Sequence, residues 1–385
     1  MESWRRQSEL LVLTVGLVLA ACSGQDPPDH RKARGAEGAV SAPERQLSAT
    51  STIAVVTPAW TATGTRPLRF GADCRELLAA RGHRLVRLDV ESGACVGTSS
   101  ALPEGRVAGS ADLRRVAAVL RHRGLSLHDL QGGAERSLVT DASQGSGRPV
   151  NAAFVGEVHV AVVFGLSPSR WRVWELATGR MSAECAIDRE LSAEEKSLLA
   201  ASRSGFEAAG RALAGFAGGT HGFSRDGRTL AVGGELGSVR AYDTLTGQLV
   251  AWVGLTGLKS LLPSGRAVND VAVSSNRRHI ATAQESRDVH VYRVETGQRE
   301  LTLENGGGYG HVAITPNGQR LVSIGWFNSG RVWALPSGRR LFDLAIPEGF
   351  ARYTPDILLI SADGRFVAAC NDHYGETAVW KLPEP

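Results

Sequence analysis

Gly222-Phe223-Ser224-Arg225-Asp226-Gly227-Arg228-Thr229-Leu230-Ala231-Val232, then Ser238-Val239-Arg240-Ala241-Tyr242-Asp243, then Thr246-Gly247-Gln248-Leu249-Val250, decides how this chain folds. Its apolar runs are four to six residues long, too short for helices and rich in strand-forming residues. Asp226-Gly227 is a hairpin turn signal, because such turns need positive φ and Gly adopts it at little steric cost. Thr246-Gly247 plays the same part before the last run. The unit therefore predicts four short strands joined by tight turns.

The unit recurs on both sides. Downstream come Val312-Ala313-Ile314-Thr315-Pro316-Asn317-Gly318 with Arg331-Val332-Trp333, and Leu359-Ile360-Ser361-Ala362-Asp363-Gly364 with Ala378-Val379-Trp380. Weaker copies run through Phe70 to Ala80, Asp112 to Leu120, Asn151 to Phe164 and Val271 to Ala281. The last large residue of each third strand marks the period: Leu88, His128, Trp174, Tyr242, Tyr292, Trp333 and Trp380. The steps between them are 40, 46, 68, 50, 41 and 47 residues.

That period and strand pattern resemble the WD-repeat β-propeller, in which each repeat of about 40–45 residues builds one four-stranded blade. The resemblance extends to the YVTN and quinoprotein-type propellers, and it implies an all-β, seven-bladed ring over residues 51–385. The departures are specific. Gly310-His311 alone keeps the family's Gly-His pair, and its Trp-Asp pair is replaced by Trp174-Glu175, Tyr242-Asp243, His128-Asp129 and Trp333-Ala334. The last copy stops soon after Trp380 and lacks a fourth strand. Thr52-Ile53-Ala54-Val55-Val56-Thr57 is an unassigned β-rich segment, expected to complete that blade and close the ring.

The 68-residue step carries about one extra segment, residues 188–217. Leu191, Leu198, Ser202, Phe206, Ala209 and Leu213 fall on a helical stripe, and Ser192-Ala193-Glu194-Glu195 is a capping box. A helical insertion between the third and fourth blades is expected there, either as a lid or docking helix or as a decoration packed on its own blade.

The N-terminus carries an address. Arg5-Arg6 precedes an apolar run, Leu10 to Ala21, of 12 residues, against the roughly 20 needed to span a bilayer. A secretory signal fits this length and these flanks. Leu19-Ala20-Ala21-Cys22 resembles the lipobox of bacterial lipoproteins, which implies removal of residues 1–21 and lipidation of Cys22. The rival readings are an ordinary signal cleaved near Ala20-Ala21, and a twin-arginine signal. Residues 23–50 hold Pro, Gly, Ser and mixed charges with almost no large apolar side chain, the composition of a tether. Cys74, Cys95, Cys185 and Cys370 remain, and they allow three full disulfide pairings or none.

Composition narrows the function classes. At 43% hydrophobic and 21% charged over 385 residues the chain has ample material for a core, and a net charge of +4 is too dilute to argue for nucleic acid. No metal-ligand spacing, phosphate loop or nucleophile elbow is present. His373 beside Asp372 is the nearest approach to a base with an orienting carboxylate. In a propeller the second-to-third strand loops share one face. Here they present Arg81 and His83, then Arg121, His122 and Arg123, and at the other end of the chain Trp326, Phe327, His373 and Tyr374. In a seven-membered ring those four blades are contiguous, so an aromatic patch adjoins a basic one, the residue types that dominate binding hot spots. The expectation is a monomeric, exported, membrane-tethered, non-catalytic scaffold of the bacterial envelope, without cofactor, that binds a protein or peptide. It would be anchored to a membrane, on a periplasmic or surface face of the outer membrane, through its N-terminal lipid. The alternative is a propeller enzyme or cofactor protein, quinoprotein-like or lactonase-like. It is carried by Tyr242 to Trp252, which looks like the tryptophan-docking repeat of quinoprotein-type propellers.

Overall fold

Alternation and turn chemistry set the strands. In blades two, four, five, six and seven a Ser or Thr stands two residues before an Asp or Asn: Ser110/Asp112, Ser224/Asp226, Ser274/Asn276, Thr315/Asn317 and Ser361/Asp363. The hydroxyl accepts the N–H five residues on, at 2.9–3.0 Å. The Asp or Asn oxygen accepts the N–H two residues beyond itself. These side chains therefore build the turn between first and second strands and are spent on it. The left-handed residue that follows is Gly227, Gly318 or Gly364; where the sequence has no Gly there, Cys74, Leu113 and Arg277 take φ of 56–59°.

The computed structural model describes residues 53–101, 106–120, 124–130, 135–139, 149–164, 170–187, 220–233, 238–253, 268–284, 288–304, 310–325, 329–348, 355–371 and 375–384. They form seven sheets, a seven-bladed β-propeller; in five of them four successive strands lie side by side and antiparallel, and in the sixth and seventh blades N-terminal strands join the successive ones. The first strands, each at an edge of its sheet, are Thr65–Phe70, Arg106–Gly109, Pro149–Val155, His221–Phe223, Val268–Val273, His311–Ile314 and Ile357–Ile360. All seven marker residues fall in third strands, and each pairs with the same position of its second strand: Leu88 with Leu77, His128 with Val116, Trp174 with Val160, and so on to Trp380 with Val367.

The apolar core is divided into clusters between neighbouring sheets, each filled from both sides. Trp171, Val163 and Val173 meet Leu230, Val232 and Tyr242 between blades three and four; Phe70, Leu77 and Leu88 meet Phe366, Ala368 and Val379 between blades one and seven. Indole N–H groups tie blades across these seams: Trp171 Nε1 donates to Thr244 O at 2.9 Å and Trp380 Nε1 to Ala345 O at 3.0 Å. Within blade six, Trp333 Nε1 donates to Ser323 Oγ.

The N-terminal segment departs from expectation. Residues 52–57 do not complete the seventh blade. Ala54–Val56 runs parallel to Arg339–Leu344 as a fifth strand on blade six, and Trp60–Thr63 is the strand that pairs with Glu376–Lys381 of blade seven. The physical reason is Trp60. Its ring packs on the core between blades one and seven and its Nε1 donates to Val90 O at 2.8 Å, whereas Val55 stays 63% exposed. The expected helical insertion at 188–217, the leader 1–21, Cys22 and the tether 22–50 lie outside the described residues. Cys74, Cys95, Cys185 and Cys370 are all free thiols.

Candidate functional site

The inner edges of the seven first strands surround a central channel of about 590 Å³. These strands are each paired on one side only, so their other edge turns rows of backbone N–H and C=O groups toward the channel. Each first strand begins where its second strand ends, as in His311 opposite Ile324 and Ile357 opposite Cys370. One mouth of the channel therefore opens on the face of the second-to-third strand loops.

Polar side chains stitch that mouth. Asn151, Thr220, Asp270 and His311 hold equivalent places in blades three to six, each three residues before the residue that faces the first marker-paired position: Phe154, Phe223, Val273 and Ile314. Asn151 Nδ2 donates to His221 O of the next blade at 3.0 Å, while its Oδ1 accepts Ala152 N–H. Thr220 Oγ1 donates to Val268 O at 2.8 Å. Asp270 accepts Val271 N–H on one oxygen and Val312 N–H of blade six on the other, with His311 Nδ1 3.2 Å away. Burial works against the His311 imidazolium, but the hydrogen bond and charge of Asp270, with Asp356 beyond, raise its pKa above the ordinary value. His221 is held neutral by burial, its pKa lowered to about 4. Its Nε2 and Asn269 Nδ2 are buried at this mouth without a hydrogen-bond partner.

The opposite end is floored by two arginines. Arg225, in the turn of blade four, reaches across the axis and donates to Ile360 O at 3.0 Å, Phe70 O at 2.9 Å and Gly71 O at 3.1 Å. Arg69 of blade one returns the contact, its Nη2 donating to Arg225 O at 3.0 Å. Burial first, then the Arg225 charge, lower Arg69 to about 10; burial also lowers Arg225. Their partners are backbone carbonyls, and among the described residues neither has a carboxylate within 4 Å. No three His, Cys, Asp or Glu side chains converge as a metal-binding group among the described residues.

The residues expected from sequence to bind a partner, Arg121, His122, Arg123, Trp326, Phe327, His373 and Tyr374, lie outside the described residues. Their flanks are described. Leu120 pairs with Gly124, Gly325 with Ser329 and Asn371 with Glu376, so each group occupies a short connection between a second and a third strand. In blade one the equivalent connection is described in full: Arg81, Gly82, His83 and Arg84 are exposed, and Arg81 Nε donates to Thr65 Oγ1 at 3.0 Å. Trp252, the quinoprotein-like tryptophan, lies against the Arg240 guanidinium 4.4 Å from its ring centre. The channel groups were missed by sequence reasoning. For the mouth a signal existed, a polar residue at the same place in four successive copies; for the Arg69–Arg225 floor there was none.

No family model matches this chain, and no curated protein does. Solved structures do. The β-propeller domain of Cps50 (Swd1) from Myceliophteria thermophila is 13% identical with a TM-score of 0.57, covering 84% of this chain and 97% of that one. A chain of the mitotic checkpoint complex is 15% identical with a TM-score of 0.59, covering 92% of this chain and 100% of that one. At these identities the likeness is one of fold: a WD-repeat-like propeller.

Proposed function

We propose that this chain is a non-catalytic interaction scaffold, exported and lipid-anchored in a bacterial envelope, that binds a protein or peptide through its second-to-third strand loop face. The observation that supports the reading is the common register of the strand ends Arg81/Arg84, Leu120/Gly124, Gly325/Ser329 and Asn371/Glu376, which belong to blades one, two, six and seven. Exposed Arg81 and Arg84 supply the basic character at blade one. Arg and aromatic residues on a rigid scaffold are what binding hot spots are made of. The two solved propellers above, one of them a chain of the mitotic checkpoint complex, suit the same role. Cys22 is the anchor in this reading, residues 22–50 are the tether, and Trp60–Thr63 is the clasp joining the two ends of the ring.

Capture in the native envelope tests it. The anchored wild type and a triple variant, Arg121→Glu, Arg123→Glu and Trp326→Ala, are cross-linked in cells and recovered from membranes. The reading expects a discrete partner with the wild type and its loss with the variant. Equal recovery from both, or a chain that is not membrane-associated and is unaltered by Cys22→Ser, would overturn it.

A further inference from the structure

We propose that the central channel binds a small hydroxylated organic anion, its carboxylate or phosphate group seated on the Arg69–Arg225 floor and its hydroxyls on the inner strand edges. This site is separate from the loop face, and neither stands or falls with the other.

Three observations converge. The first is charge without a counter-charge at ion-pair distance among the described residues. Arg69 and Arg225 meet across the channel, and each spends its bonds on carbonyls: Arg225 on Ile360, Phe70 and Gly71, and Arg69 on Arg225 itself. Each guanidinium crosses the channel to the other's side, the Arg225 charge acts on Arg69 in a partly dehydrated place, and the acidic groups that act on them, Glu157, Asp226, Asp112 and Asp363, do so from beyond ion-pair distance. An oxyanion entering from the channel would offset that charge and accept charge-assisted hydrogen bonds. Arg69 Nε, buried and without an acceptor, shows that the floor is short of acceptors.

The second observation is volume. About 590 Å³ falls within the range of small-molecule sites and exceeds what a bare inorganic ion would fill. The third is the wall and mouth. Unpaired strand edges offer alternating donors and acceptors, which suits hydroxyl groups better than an alkyl chain. At the mouth His221 Nε2 and Asn269 Nδ2 await partners, and His311 is turned toward Asp270. His221 stands in the first strand of blade four and Arg225 in the turn that follows it, so mouth and floor lie only a few residues apart along one wall. That depth suits a small sugar acid or sugar phosphate with its head on the floor.

Isothermal titration of the full chain with glucose 6-phosphate, glucuronate, glucose and inorganic phosphate tests the site. Saturable binding is expected for at least one of the two sugar anions, and which one binds identifies the head group. Glucose, lacking the charge, and phosphate, lacking the body, should each bind at least about 10-fold more weakly. Arg69→Gln, which removes the charge while keeping a polar side chain of similar stem, should weaken the anion about 10-fold or more; Arg114→Gln, on an exposed turn, should leave it unchanged. If Arg69→Gln does not fold, Asn269→Asp places a negative charge at the mouth away from the floor and should weaken the same anion. No saturable binding of either sugar anion, or glucose binding as well as its phosphate, would overturn the proposal, as would unaltered affinity in the folded variants.

Discussion

Acid should destabilise this propeller through two particular histidines well before its carboxylates protonate. His221 at the channel mouth and His290 in blade five are both held neutral, each with a pKa lowered to about 4, by burial in the first case and by burial and then the Arg299 charge in the second. An unfolded histidine titrates near 6.5. A group depressed on folding supports the fold fully above its unfolded value and loses that support as pH falls toward the folded one. At pH 5 the loss for each is RT ln[(1 + 10^1.5)/(1 + 10^−1)], about 2 kcal/mol, so the pair accounts for about 4 kcal/mol between pH 7.5 and pH 5. Asp112, Asp243 and Asp363, also lowered, start from a normal value of 3.8 and contribute only at lower pH. His279, lowered chiefly by burial, adds to the histidine effect and His311 opposes it, but both remain in the variants and drop out of the comparison. Urea unfolding at pH 7.5 and pH 5 of the wild type and of His221→Gln, His290→Gln and the double variant gives the answer. Each substitution should shrink the pH-dependent loss by about 2 kcal/mol, whatever it does to stability at neutral pH. A double variant with the wild-type pH dependence would refute the reasoning.

Two matched pairs of substitutions test the architecture by thermal unfolding. Gly227 and Gly82 both have positive φ, but a Cβ at Gly227 would lie 2.0 Å from Phe154 O of the neighbouring blade while one at Gly82 meets nothing within 4 Å. Gly82→Ala should cost about 1 kcal/mol and Gly227→Ala distinctly more, because a backbone carbonyl cannot swing aside; equal costs would deny the tight seam between blades three and four. Trp60→Ala removes the indole bond to Val90 O and the packing over blades one and seven, and should cost about 2–4 kcal/mol. Val55→Ala, at an exposed position, should cost under about 0.5 kcal/mol, and the reverse ranking would restore 52–57 as the strand of blade seven.

By itself the sequence determined the blades. Ser-x-Asp-Gly turns, two-residue alternation and the large residue ending each third strand act over a few neighbouring positions, so each copy announces its own hairpins wherever it lies in the chain. The count of seven followed, as did the place of the loops between second and third strands. What only the tertiary structure decided is everything that depends on a partner distant along the chain. Two N-terminal segments have comparable strand propensity, and Trp60 wins the seventh blade because it packs on the core between blades one and seven, a contact that no local rule describes. Arg225 reads as one more turn residue and Arg69 as one strand residue among many; 156 positions separate them, and they meet because the ring brings blade four opposite blade one. Local geometry is written in short-range backbone preferences, whereas the chemistry of the channel arises from converging strand edges, and convergence is a property of the assembled ring.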